Sequence, residues 1–348
     1  MNILKILKRT LYNFLFRLEF NSYIKKIKGN KCLIEKKEYF FVLDLSSFIP
    51  NFDVTKNLIY LAIKSKYKSI HIVIIPELEN ASKVFQKEIK IEDPNYFRRI
   101  NVVYPLIKMV DGFTPNIYFP GSRDEAYDLI KNKNITKLTN PFKGIERKFI
   151  KESVLFRYFK KKNFMPKYKA NLTNLIFVKK KIKYNLNEKY ISISLRNSSY
   201  NQHLNSNNNE WMKVAKYLKN NGYKVIIIRD FEDYFEPIDQ DFLFYDQALF
   251  DPQIRMAIYT LCILNLGVCN GPFNSFIFYS DCNFLCFKSQ IIKQEAYYRR
   301  YGFSDTSKDQ QLPFFTSKQK LIYREDNYQD IMDELNIFFK ENNENIIL

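Results

Sequence analysis

Short apolar runs and helical stretches alternate along this chain. Positions 39–45 read Tyr-Phe-Phe-Val-Leu-Asp-Leu, a run with one carboxylate near its end. A run of this kind suits a strand buried on both faces. A loop containing Pro50 follows. Asp53 is placed to cap a helix over 54–66, whose apolar side carries Leu58, Ile59, Leu61 and Ala62. Positions 69–75, Ser-Ile-His-Ile-Val-Ile-Ile, predict the next strand, closed by Pro76. Strand, helix and strand in this order form a unit whose strands are parallel. Helices are expected near 79–87 and 96–110, a strand at 116–119 and a helix over 122–131. His71 alternates with Ile70 and Ile72 inside its strand and reads as a structural residue.

The rhythm returns in the second half. A strand over 190–195 leads into Arg196 and a polar loop at 197–209 that carries Tyr200 and His203. A helix over 210–220 ends at Gly222, a suitable C-terminal cap. A strand over 224–228 leads into Arg229. A short strand at 242–245 precedes a helix over 251–260. The apolar run before Cys269 ends in the turn Asn270-Gly271-Pro272, from which a helix starts, and a strand follows at Phe284. A last helix is expected over 328–340. The pattern predicts an α/β protein with two Rossmann-like domains facing a cleft. Its expected parts are an amphipathic helix and linker at 1–38 and a first domain at 39–142. A basic linker at 143–188, a second domain at 189–325 and a C-terminal helix at 326–348 complete it.

In such layouts ligands sit beyond the carboxyl ends of the strands. Arg196, Arg229 and Asn270 all fall at or just past such ends. A helix N-terminus attracts anions through its unpaired N–H groups and its dipole. A guanidinium adds a two-pronged donor that fits phosphate oxygens. Arg196, with Asn197 beside it, and the 270–275 turn, with Gly271, Pro272 and the hydroxyl of Ser275, therefore point to a nucleotide-diphosphate site. Arg229 is a further candidate, with Asp230 and Glu232 as competing ion-pair partners. Asp44 and Asp53 are the candidate bases, although Asp53 also serves as a cap.

Composition changes the picture in three places. First, 348 residues with 46% hydrophobic content suffice for two cores. No apolar run approaches the roughly 18–20 residues that cross a bilayer, and no cleavable leader is expected. Second, the two histidines exclude a multi-histidine metal centre and disfavour a histidine-based triad. The five cysteines have no metal-ligand spacing and read as reduced thiols of a cytoplasmic protein. No Gly-x-Gly-x-x-Gly and no P-loop occurs, against a dehydrogenase or a kinase. Third, the formal charge is +18. It accompanies an excess of Lys, Asn, Ile, Phe and Tyr, and no nucleic-acid-binding signature goes with it, so no nucleic-acid partner is expected. Basic residues gather instead between Lys143 and Lys183 and around the first helix. In that helix Ile3, Leu4, Leu7, Leu11, Phe14, Leu15 and Leu18 share one face, with Lys5, Lys8, Arg9 and Arg17 off it. Two readings stay open: a helix lying on an anionic membrane surface, and a helix packed on its own protein.

The segment Leu266-Gly-Val-Cys-Asn-Gly-Pro-Phe-Asn-Ser275 is similar to the Asp-Thr/Ser-Gly-Pro-x-His motif of bacterial heptosyltransferases. Gly271 and Pro272 match, whereas Cys269 and Asn274 stand where that family has Asp and His. Ser192-Ile-Ser-Leu-Arg196 resembles the arginine-ended strand of fucosyltransferase-like enzymes. The order of Arg196, Gly222-Tyr223 and Arg229 resembles glycosyltransferases of bacterial surface-polysaccharide clusters. The resemblance, over about 189–290, implies a GT-B-type glycosyltransferase with a donor-binding second half. It implies transfer from a nucleotide-sugar to a glycan or lipid-linked acceptor, with no cofactor and no metal. Arg196 would stabilise the departing diphosphate. A sugar-nucleotide epimerase and a non-catalytic scaffold of polysaccharide assembly remain as alternatives. The sugar, the nucleotide, the acceptor and the stereochemistry stay open.

Overall fold

The computed structural model describes residues 38–45, 52, 54–66, 69–76, 99–131, 138–139, 152–199, 202–234, 239–288 and 311–342. The N-terminal helix, Cys32, Asp53, Tyr200 and the helix expected at 79–87 lie outside them. In chain order the elements begin β1 Glu38–Asp44, α1 Val54–Ser65, β2 Ser69–Ile75, α2 Tyr104–Met109, β3 Asn116–Tyr118, α3 Arg123–Lys131 and β4 Leu138–Thr139. They continue α4 Glu152–Lys162, α5 Leu172–Lys181, β5 Tyr190–Ser194, α6 Asn208–Asn220, β6 Lys224–Ile228, β7 Leu243–Phe244 and α7 Gln247–Phe250. The chain closes with α8 Pro252–Leu261, β8 Leu264–Val268, β9 Phe284–Phe287, β10 Gln319–Leu321 and α9 Tyr328–Glu341.

The chain divides into two compact units, one of residues 1–100 and 112–150, the other of 101–111 and 151–348. The first holds a parallel sheet in the order β3-β2-β1-β4. Its central strands are apolar on both faces, and α1 buries Leu58, Ile59 and Leu61. His71 is buried in β2, its ring stacked on Phe40 at 4.4 Å between centroids. It is a packing residue with hydroxyl partners in Ser69 and Tyr118, each at 3.2 Å.

The second unit holds a parallel sheet in the order β10-β9-β8-β5-β6-β7. The chain starts at β5, steps outward to β6 and β7, then returns to the other side of β5 for β8, β9 and β10. Both units are therefore α/β with a Rossmann-like parallel sheet. One face of β5 presents Ile191, Ile193 and Leu195 to a core with Trp211, Val214 and Leu218 of α6. Ile331, Leu335 and Phe339 of α9 complete that core. The helix expected as a separate terminal segment is thus part of this core. Helix α6 stops as its sequence predicts: Gly222 takes φ +84°, and the Tyr223 N–H reaches back to Leu218 O at 3.1 Å.

The stretch expected as a basic linker, 143–188, contains α4 and α5, and both belong to the second unit. Their lysines lie mainly on solvent faces, while Leu155 and Val178 are buried. A charge run marked the exposed side of two helices. The short segment 101–111 joins the same unit through main-chain bonds: Asp111 N–H to Lys167 O and Lys169 N–H to Met109 O, both at 2.8 Å. Among the described residues no helix is long and apolar enough to cross a membrane.

Candidate anion site at the sheet switch point

Chain direction across the second sheet reverses between β5 and β8. Two crossovers leave in opposite directions there, so the loops beyond the carboxyl ends part and open a crevice. Ser194 of β5 pairs with Gly267 of β8. Arg196 lies two residues past that pair and Asn270 three, so both expected residues come to one edge at adjacent strands. Strand separation is tight here. A Cβ on Gly267 would stand 2.8 Å from Ser194 O and 3.2 Å from Ser194 Cβ, so only glycine fits the present spacing.

Arg196 is 9% exposed. Its N–H donates to Ser206 Oγ, and its carbonyl accepts the Ser206 N–H, both at 2.8 Å, so the polar loop closes on the arginine. Its Nη1 donates to Asn205 Oδ1. The Asn205 carbonyl accepts from Lys288 Nζ at 2.6 Å. Lys288, at the exit of β9 with φ +51°, also pairs with Asp326 Oδ1 at 2.8 Å. Asp326 is 2% exposed, and its Oδ2 accepts from Asn207 N and Trp211 Nε1 at 2.7 and 2.8 Å. One buried carboxylate thus anchors the start of α6, the exit of β9 and, through Asn205, the arginine.

Asn197 is exposed and tied to two acids: its N–H donates to Asp230 Oδ2 at 3.1 Å, and its Nδ2 to Asp233 Oδ1. The Asp230 carboxyl is raised by burial, against N–H bonds from Phe231 and Asn197 and the charges of Arg255 and Arg196. Arg229 departs from the sequence expectation. Its Nε and Nη2 grip Asp246 at 3.2 and 2.7 Å, and Nη1 donates to Asp233 O at 3.0 Å. Its guanidinium also lies 5.3 Å from the centroid of Phe244. It is 5% exposed and holds the β6–β7 crossover together. The competitors foreseen in sequence, Asp230 and Glu232, are not its partners.

The turn after β8 also differs in detail. The helix from Gly271 is short, with a π turn at Phe273–Ile277. Asn270 Oδ1 accepts the Phe273 N–H at 2.8 Å, so Asn270 caps the turn itself and occupies one of the donors expected for an anion. Gly271 is exposed and Pro272 half-buried at the rim. The side chains of Asn274 and Ser275 lie outside the described residues, as does that of Asp44, whose backbone ends β1. His203 is exposed in a 3-10 turn.

Sequence reading missed Asn205, Lys288, Asp326 and Arg255. The signal for Arg255 was an arginine among Ile254, Met256, Ala257 and Ile258, all of them buried. A hollow of about 420 Å³ lies at the opposite, amino edge of the sheet, lined in part by Tyr168, Met256, Tyr259, Cys262 and Cys282. Burial pushes the Cys282 thiol up to about 11 and the Cys262 thiol higher, so neither is a thiolate near neutral pH.

The chain is similar to solved bacterial glycosyltransferases. A family 9 glycosyl transferase from Veillonella parvula is 11% identical with a TM-score of 0.46, covering 90% of this chain and 99% of that one. The E. coli ADP-heptose heptosyltransferase II is 9% identical with a TM-score of 0.48, covering 88% and 99%. An iron-containing dodecameric glycosyltransferase from enterotoxigenic E. coli is 10% identical with a TM-score of 0.45, covering 89% and 78%. No protein-family model matches the chain, and no curated protein sequence matches it.

Proposed function

We propose that the chain is a glycosyltransferase that takes a sugar from a nucleotide-diphosphate donor and passes it to a glycan or lipid-linked acceptor. The observation that carries this reading is the switch point of the second sheet, where Arg196 and the Asn270 turn stand side by side at the carboxyl edge. An arginine fixed by its own loop is a preorganised donor, which is what a developing diphosphate charge requires.

In transfer with inversion, an acceptor hydroxyl attacks the anomeric carbon while the bond from that carbon to the diphosphate oxygen breaks. The hydroxyl proton goes to a base, and the diphosphate leaves with the electron pair. Asp44 and Asp53 stand as the candidates for that base. Arg196 would stabilise the leaving group, with Gly271 and Pro272 at the rim and Ser275 as a further hydroxyl candidate. Lys288 and Asn205 would position the arginine. We propose no cofactor and no metal requirement, and an anionic membrane surface as a partner of the N-terminal helix.

The experiment is turnover of a panel of nucleotide-sugars by wild type, Arg196→Lys and Arg157→Lys. Arg157 is exposed on α4. Arg196→Lys should lose on the order of 10²–10³ in kcat, because a point charge replaces a planar fork. Equal rates in all three would take Arg196 out of the site.

A further inference from the structure

Helix α8 runs from the carboxyl edge of the second sheet back to its amino edge, antiparallel to β5 and packed against it. Tyr259 OH and Ser194 Oγ lie 2.8 Å apart and fix its register. Arg255 stands four residues before Tyr259, one turn on the same face and about 6 Å toward the carboxyl edge. Arg196 stands two residues beyond Ser194, about 6.6 Å in the same direction. The two arginines are therefore level at the switch point.

Charge effects agree with that placement. Both guanidiniums act on Asp230, and each favours its ionised form. Asp230 does not neutralise both. Its two oxygens are engaged by main-chain N–H groups, Phe231 at 2.6 Å and Asn197 at 3.1 Å. Arg255 is 5% exposed, and among the described residues its Nε has no hydrogen-bond partner. A buried guanidinium with an unmet donor is costly, and an anionic ligand at this edge would complete it.

We propose that Arg255 is the second guanidinium of the anion site and that, with Arg196, it selects a group carrying at least two negative charges. Two buried guanidiniums brought to one edge offer more than one positive charge to an anion. A diphosphate answers two guanidiniums better than a phosphate bearing a single net charge. Within the proposed glycosyltransferase reading, on which the identity of the donor rests, this favours nucleoside-diphosphate sugars over sugars linked to a nucleoside monophosphate.

The test uses the full chain and inorganic pyrophosphate, with orthophosphate as comparison, followed by calorimetric titration and thermal unfolding. Wild type should bind pyrophosphate more tightly than orthophosphate. Arg255→Gln should lose about ten- to a hundredfold in pyrophosphate affinity, Arg255→Lys less, and Arg157→Gln nothing. Without ligand, Arg255→Met should unfold at or above the wild-type temperature, since it removes an unmet buried charge, and pyrophosphate should no longer raise that temperature. A structural arginine would do the opposite: unfolding of Arg255→Met well below wild type would overturn the assignment. So would unchanged pyrophosphate affinity in Arg255→Gln, or no pyrophosphate binding by wild type. If Arg196→Gln alone loses pyrophosphate, the donor reading stands and Arg255 leaves the site. If both arginines are needed for pyrophosphate and no nucleotide-sugar is turned over, the anion site stands and the glycosyltransferase reading fails.

Discussion

Strands β5 and β6 lie side by side, each leads into an arginine, and each is followed by a short polar stretch. Their arginines nevertheless do different things. Arg229 is gripped by Asp246 and by the Asp233 and Tyr234 carbonyls, with Phe244 beneath it. Arg196 lies at the reversal of strand order, where one amide oxygen of its own loop takes its Nη1. An arginine at a strand exit is therefore not a functional signal by itself. Its meaning is set by what its neighbours bring over it: the step from β6 to β7 brings the carboxylate of Asp246 onto Arg229, whereas Arg196 stands where β5 borders β8, a strand the chain reaches only after returning from β7.

The sharpest way to break this contrast is Arg229→Ala. It leaves Asp246 without its buried partner and should cost about 3–5 kcal/mol of stability, read by chemical denaturation. A loss below about 1 kcal/mol would mean the ion pair does not hold the crossover. Arg196→Lys should separate the two positions from the other side. Its denaturation midpoint should stay near wild type while the rate loss costs about 2.7–4 kcal/mol of transition-state stabilisation. An effect on KM alone would assign Arg196 to uniform donor binding rather than to the departing group.

How much of this was legible beforehand follows from where the information sits. The strand–helix rhythm was legible because period and length are local properties: β2 and β6 fall at the expected residues, and α1 and α8 shift by one. Arg196 and Asn270 were legible as strand exits. The pairing of Arg229 with Asp246 was not, since it depends on where β7 returns. Helices α4 and α5 were hidden by a lysine run that tertiary packing placed outward. Arg255 was hidden because an arginine inside an apolar helix reads as a surface residue with a long stem. Lys288 and Asp326 were hidden because their meeting is a product of the β9–β10 pairing.

Two smaller effects refine the comparison. Gly267→Ala should cost about 1–3 kcal/mol, because the added methyl meets the Ser194 carbonyl of the neighbouring strand, and β5 and β8 must part there. Pyrophosphate affinity should fall with it. Retained affinity would show that the spacing serves packing only. Asn270→Ala removes a cap from a short turn and should cost about 1 kcal/mol. Its unfolding curve decides between a cap and a ligand contact: lost stability with unchanged nucleotide affinity assigns Asn270 to the cap alone.

The anchoring carboxylate at Asp326 carries a consequence for synthesis of the chain. Arg196 is made 130 residues before Asp326, yet the loop that aims it is tied through Asn205 and Lys288 to that carboxylate. While the chain is still emerging, β5 and β6 can already pair, but the start of α6 and the Trp211 indole lack their acceptor. The arginine loop can therefore take its final form only after Asp326 has been added. A nascent chain halted before that residue would have the strands of the site without its aim.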